Sequence, residues 1–194
     1  AVPSPASARL SDFCFAYQNA PETLKIASAD IPYGGIVGII GHNGAGKSTF
    51  SRCFCGLEKR CGTVTVNGTS CSARERLNKC YMVMQDVGHQ LFTESVLDEV
   101  LISMAEEDEK EAERILAGLD LAALSGRHPA SLSGGQKQRL AIASAVAAGR
   151  SVLFLDEPTS GLDHRHMMEV AGLLKALRES GKTVYVITHD PELI

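Results

Sequence analysis

Ile36-Val37-Gly38-Ile39-Ile40, running into Gly41-His42-Asn43-Gly44-Ala45-Gly46-Lys47-Ser48-Thr49, decides the fold of this chain. The first five residues are a short, continuous apolar run, the pattern of a strand buried in a parallel sheet. The next eight, Gly41 to Ser48, satisfy G-x-x-x-x-G-K-[ST], and a helix-compatible run from Ser48 to Cys55 follows. Strand, glycine-rich loop and helix in that order form a phosphate cradle. Glycines let backbone N–H groups wrap an anion without Cβ clashes, and the helix N-terminus adds positive partial charge. Gly41, Asn43, Gly44, Ala45, Gly46, Lys47, Ser48 and Thr49 are therefore expected to bind nucleotide. Lys47 is expected to reach the β- and γ-phosphates and Ser48 to hold Mg²⁺.

Two further apolar runs repeat the pattern of a strand ending in polar chemistry. Val152 to Leu155 ends in Asp156-Glu157, and Val184 to Ile187 ends in Thr188-His189-Asp190. Open parallel sheets bind ligands beyond such strand ends. Two adjacent buried carboxylates are costly without a cation, so Asp156 is read as a Mg²⁺ ligand and Glu157 as the group that polarises the attacking water. The bland alternative, an N-cap for the next helix, would occupy one carboxylate and not both. His189 is read as a γ-phosphate contact. Gln85, closing the run Met82-Val83-Met84-Gln85, is read as an amide that touches Mg²⁺ or the attacking water.

Outside these runs the chain divides by composition. Leu10 to Tyr17, Leu24 to Ile31 (broken by Pro32 and Gly34-Gly35), and Thr63 to Val66 entering the Asn67-Gly68 turn predict an antiparallel β layer. Ser95 to Ala148 is rich in Ala, Leu and Glu and predicts an inserted helical subdomain. In it, Glu106 to Glu113 is a solvated face and Ile115, Leu116 and Leu119 are the buried stripe. The fold class expected is α/β, a P-loop core with a mixed or parallel sheet, the antiparallel layer and the helical insert. Residues 1–9 read as a linker or disordered end, and 10–194 as one domain.

Bulk properties agree with an ordinary globular chain. With 194 residues it can bury about 70% of its unfolded surface without a metal or disulfide. A net charge of −4 gives no support for nucleic-acid binding. The longest apolar run is strand-sized, so no membrane-spanning helix is expected, and residues 1–8 lack the build of a signal peptide. The six cysteines, none in CxxC spacing, are read as free thiols. His164 and His166 alternate early in a predicted helix and are not expected to form a metal site.

Leu132-Ser133-Gly134-Gly135-Gln136, lying between the phosphate loop and the acidic strand end, completes an order of motifs that resembles the ABC ATPase family over nearly the whole chain. The resemblance implies that Ser133, Gly134, Gly135 and Gln136 grip the γ-phosphate of ATP held by a partner, across a head-to-tail dimer. It further implies that Tyr17 stacks on adenine and that Asp163 belongs to a loop crossing that seam. ATP and Mg²⁺ are the implied cofactors, and a second ABC ATPase domain is the implied partner.

Gln85-Asp86-Val87-Gly88-His89-Gln90-Leu91-Phe92 resembles the energy-coupling-factor (ECF) importers, including cobalt, nickel and vitamin systems, which tend to read Gln-Asn-Pro-Asp-Asp-Gln-Leu-Phe. Thr93-Glu94-Ser95-Val96 and Asp98-Glu99-Val100 continue the likeness. It implies a transmembrane coupling subunit as partner and a peripheral place on the cytoplasmic face of the cell membrane. Where that family has Asp-Asp this chain has Gly88-His89, so the attraction to the membrane subunit's arginines is expected to be weaker, or to be supplied by Glu94 or Glu99. A short insert and an end soon after His189 suit a truncated domain or one half of a tandem two-ATPase polypeptide. The alternative is a soluble ABC ATPase of translation or DNA repair, and the chain lacks the long coiled coil, zinc-type cysteine pattern and basic patch such a protein would use.

Overall fold

The structure, a computed structural model, describes residues 7–18 and 23–188. Strands β1 (Ser7–Phe15), β2 (Leu24–Pro32), β4 (Thr63–Val66) and β5 (Thr69–Cys71) make an antiparallel sheet in the order β2-β1-β4-β5. The β4–β5 turn is the one the sequence marks: Asn67 and Gly68 both take positive φ, 51° and 78°, the backbone a two-residue hairpin of this twist needs. β1 starts at Ser7, inside the segment expected to be a linker, because Ser7, Ala8 and Arg9 pair with Pro32, Ile31 and Asp30 of β2.

The second sheet is wholly parallel, in the order β3-β8-β7-β6, from β3 (Gly35–Ile39), β6 (Cys80–Val83), β7 (Val152–Asp156) and β8 (Thr183–Ile187). β7 and β8 are buried at every residue, as continuous apolar runs require. β3 differs from that expectation. Among the described residues it pairs with β8 alone, and Ile36 is 42% exposed, so its apolar run belongs to an edge strand.

Side chains of the parallel sheet alternate between two cores, as the period of two dictates. Leu153, Leu155, Val184 and Val186 face α3 (Val96–Leu101), α4 (Glu109–Gly118), α5 (Gly134–Ala147) and α6 (His164–Glu179). Val152, Phe154 and Tyr185 face α1 (Lys47–Cys55) and the antiparallel sheet. Phe154 stacks on Tyr185 with ring centres 4.6 Å apart, and Phe54 of α1 lies 5.3 Å from Phe154. The Tyr185 hydroxyl donates to the Pro32 carbonyl at 2.6 Å, which ties the two sheets together. Thus α1, whose N-terminus ends the phosphate loop, is held in place by an aromatic core.

Between residues 95 and 148 every regular element is helical. Asp108 caps α4, and Ile115, Leu116 and Leu119 are buried as expected. α2 (Ala73–Lys79) packs beside α1 and opens on a capping box formed by Ser72 and Glu75. All six cysteines are free thiols.

Candidate functional site

The loop from β3 to α1 is built as its glycines allow. Gly44 and Gly46 take φ of 81° and 86°, conformations closed to most L-residues, and a Cβ on Gly46 would come within 3.0 Å of the Thr23 carbonyl. The Phe50 amide donates back to the Gly46 carbonyl at 2.7 Å, so the helix starts abruptly. Lys47 Nζ donates to the carbonyls of Gly41 (2.7 Å) and His42 (3.0 Å), which folds the ammonium over the mouth of the loop. The loop lines a cavity of about 440 Å³.

Besides the loop, three elements meet in that cavity. α1 contributes Ser48 and Thr49, β7 ends there in Asp156 and Glu157, and Gln85 enters from the end of β6. Ser48 Oγ donates to Asp156 Oδ2 at 2.6 Å, and Asp156 is 4% exposed. A hydroxyl and a buried carboxylate side by side beneath an anion cradle are hard oxygen ligands of the kind Mg²⁺ takes while keeping several waters. The residues present therefore fit a Mg–nucleotide. Glu157 has φ of 50°, and its amide donates to the Ile187 carbonyl at 2.8 Å. Such strain in a non-glycine residue is typical of functional positions. The N-cap alternative for this carboxylate pair is excluded, because α6 is capped by Asp163.

Tyr17 is 41% exposed, packs edge-on against Phe15 at 4.9 Å, and brings its hydroxyl to 3.4 Å from Thr49 Oγ1. The ring therefore stands beside the start of α1. His189 lies outside the described residues.

Ser133, Gly135, Gln136 and Asp163 meet in a second cavity, of about 180 Å³, that shares no lining residue with the first. Ser133 caps α5: its Oγ accepts from the Gln136 amide at 3.3 Å, and Gln136 Oε1 accepts from the Ser133 amide at 2.9 Å. This capping box commits two of the helix's unpaired N-terminal donors. The amides of Gly134 and Gly135 come next in the same turn, at an exposed N-terminus that favours an anion. Asp163 Oδ1 accepts from the His166 amide at 2.9 Å and lies 2.8 Å from His166 Nδ1. These contacts, the amide foremost, hold the Asp163 carboxyl below its ordinary range.

Sequence reasoning missed several residues that the fold brings in. Thr23, Ser160 and Ile187 line the nucleotide cavity, and Arg139 and His166 line the second one. Thr23 and Arg139 belong to no motif, while Ile187 closes a strand-end run and Ser160 precedes Asp163 in its loop. Arg139 is 4% exposed, and among the described residues its Nε has no hydrogen-bond partner, nor does the buried Nε2 of Gln138 beside it in sequence. One expectation fails on geometry. Glu99, offered as a surface charge for a membrane subunit, is 3% exposed, and its Oε2 accepts from the amides of Phe92 and Thr93 and the hydroxyl of Thr93 at 2.8–3.0 Å. It is an internal anchor, whereas Glu94 is exposed.

A phosphate loop ending a parallel strand, a hydroxyl–carboxylate pair beneath it and a capped second helix define a P-loop nucleotide-binding domain of the ATP-binding-cassette type. The family model described as ABC transporter matches residues 24–160, and the chain belongs to that family. It is 48% identical over 162 residues to a Treponema denticola protein described as an ABC transporter ATP-binding protein, covering 83% of this chain and 33% of that one. A Pyrococcus furiosus protein of the same description is 36% identical over 192 residues, covering 93% and 73%. The chain spans about a third of the length of the curated relatives it matches first.

Among solved structures, the fold resembles cbiO1 of Clostridium perfringens, described as part of the ABC transporter complex cbiONQ. The TM-score is 0.79 and identity 28%, over 98% of this chain and 81% of that one. It also resembles an ATP-binding cassette solved as a dimer in a post-hydrolysis state with ADP and phosphate, at TM-score 0.83 and 29% identity, over 96% and 89%. No helix among the described residues is long and apolar enough to cross a membrane.

Proposed function

We propose that this chain binds and hydrolyses ATP with Mg²⁺ to drive a membrane transporter, in uptake of the ECF type for a vitamin or metal ion. The observation that carries the reading is the division of the site: the phosphate loop with Asp156, Glu157 and Gln85 in one cavity, and the start of α5, the signature helix that begins in Ser133-Gly134-Gly135-Gln136, with Asp163 in another. An anion-binding helix end outside its own nucleotide cavity makes sense when it serves the nucleotide of a second domain.

In this reading the amides of residues 41–49 cradle the phosphates and Lys47 moves from the loop carbonyls onto the β- and γ-phosphates. Tyr17 stacks on adenine. Ser48, Asp156 and Gln85 hold Mg²⁺, which supplies charge neutralisation at the phosphate oxygens. Glu157 orients the attacking water and accepts its proton, while His189 touches the γ-phosphate. The partner's Ser133, Gly134, Gly135 and Gln136 close over that phosphate, with Asp163 in the loop at the seam. Preorganised donors at developing charge are worth most in such a closed, dry site. The partner is a second ABC ATPase domain, in the same or another polypeptide.

The transport assignment is supported by Phe92, 74% exposed on the segment that begins at Gln85, and by the likeness to cbiO1. A transmembrane coupling subunit would seat there, with the chain peripheral on the cytoplasmic face. Residues 95–148 form the helical subdomain that carries the signature in this scheme. The test is Glu157→Gln: ATP still binds, while turnover falls by about 10²-fold or more. Hydrolysis at the wild-type rate in that variant would remove Glu157 from its role. Co-purification with a membrane protein, as against co-sedimentation with ribosomes, separates transport from a soluble function.

A further inference from the structure

Among the described residues β6 is the outer strand of the parallel sheet, with no strand beside one of its edges. At this end of the strand the carboxamide of Gln90 does the work of a neighbouring peptide group. Its Oε1 accepts from the Met84 amide at 2.7 Å and its Nε2 donates to the Met82 carbonyl at 2.8 Å. Residues two apart present their N–H and C=O to the same edge of a strand, so one side chain satisfies both. The chain between is closed into a short loop whose first residue, Gln85, lines the nucleotide cavity. Elsewhere the loop is held by local bonds, Asp86 Oδ1 accepting from the Gly88 amide at 3.1 Å and the Val87 carbonyl from the Gln90 amide at 3.0 Å, and by the Val87 side chain. Val87 is buried, but Gln85, Asp86, Gly88 and His89 are exposed, and the Asp86–His89 contact at 3.0 Å joins side chains that are 72% and 85% exposed.

We propose that Gln90 is a positioning residue for Gln85: its amide clamp on Met82 and Met84 fixes the backbone from which the Gln85 side chain reaches the nucleotide. The clamp has two requirements, a donor and an acceptor at the reach of a glutamine. Alanine lacks both groups, and glutamate keeps the acceptor while losing the donor. The loss would appear in turnover more than in nucleotide affinity, because Gln85 is one of many groups in the cavity but must be placed within a fraction of an ångström to act on the reacting centre. This step rests on the proposed ATPase function.

The test compares full-length wild-type protein with Gln90→Ala, Gln90→Glu, Gln85→Ala and the double variant Gln85→Ala/Gln90→Ala. Gln90→Ala should lower kcat about ten- to a hundredfold while KM for ATP stays within about twofold, and Gln90→Glu should move in the same direction. The double variant should be no slower than Gln85→Ala, since residues acting as one unit are non-additive. Wild-type turnover in Gln90→Ala, or losses that multiply in the double variant, would overturn the proposal. Amide exchange supplies a readout that does not depend on hydrolysis. The Met84 and Gln85 amides should exchange faster in Gln90→Ala than in wild type, and unchanged exchange would overturn the clamp even if the wild-type protein proved not to cleave ATP.

Discussion

At the scale of single residues, Lys47 and the cysteines show how environment decides what a side chain does. Among the described residues the Lys47 ammonium is bonded to loop carbonyls at the cavity mouth, so its removal should cost little stability and much affinity. Lys47→Ala is expected to melt within about 1 kcal/mol of wild type and to lose nucleotide binding in a titration with a fluorescent ATP analogue. The opposite pattern, a large loss of stability with binding intact, would contradict its assigned place. Among the thiols, Cys53, Cys55, Cys61, Cys71 and Cys80 are buried and Cys14 is partly exposed. Burial pushes the Cys53 thiol far above its ordinary range, and contact with Cys80 together with burial does the same to Cys55. A raised pKa means that thiolate, the reactive form, is scarce at neutral and mildly alkaline pH. Alkylation of the native protein at pH 8 should therefore label the partly exposed Cys14 first and reach Cys53 and Cys55 only on unfolding.

At the scale of elements, the clearest demands are made where backbones meet. α1 ends at Gly56, which has φ of 83° and whose added Cβ would collide with the Ala73 carbonyl at the start of α2. Both the backbone conformation and the close approach exclude a side chain, so Gly56→Ala should destabilise by about 2 kcal/mol or more in a denaturant titration. α3 holds the exposed Phe92 segment through Glu99. Glu99→Ala would strand the amides of Phe92 and Thr93, while the Thr93 hydroxyl keeps the Ser95 carbonyl as acceptor; the cost should be about 1–3 kcal/mol, with faster amide exchange at Phe92 and Thr93 before the rest of the fold loosens. These elements also show what the sequence can and cannot tell. The β7 and β8 runs, the Asn67-Gly68 turn and the phosphate loop are legible because a local pattern dictates each of them. The roles of Gln90 and Glu99 are not, because an anchored polar side chain and a solvated one are the same letter until tertiary packing separates them. β3 misleads for a related reason: an apolar run does not reveal how many neighbours a strand has.

At the scale of the whole molecule, the fold sets apart two groups of motif residues that the sequence presents as one collection. The residues around the phosphate loop were found by motif and strand ends. Their companions Thr23 and Ser160 came only from the fold, which brings distant segments to one cavity. The signature helix, with Asp163 and the unheralded Arg139 and His166, lies around another cavity, and the account stands on these two serving one nucleotide from different domains. The most direct measurement mixes two inactive variants of the full-length protein, Lys47→Ala and Ser133→Arg. Ser133 is exposed, so the arginine blocks the helix end without entering the core. In a two-fold dimer the mixed species carries one doubly damaged site and one intact site. If half the dimers are mixed, hydrolysis should return to about a quarter of the wild-type rate. A mixture as inactive as its components, with subunit exchange demonstrated and the wild type active, would contradict the account.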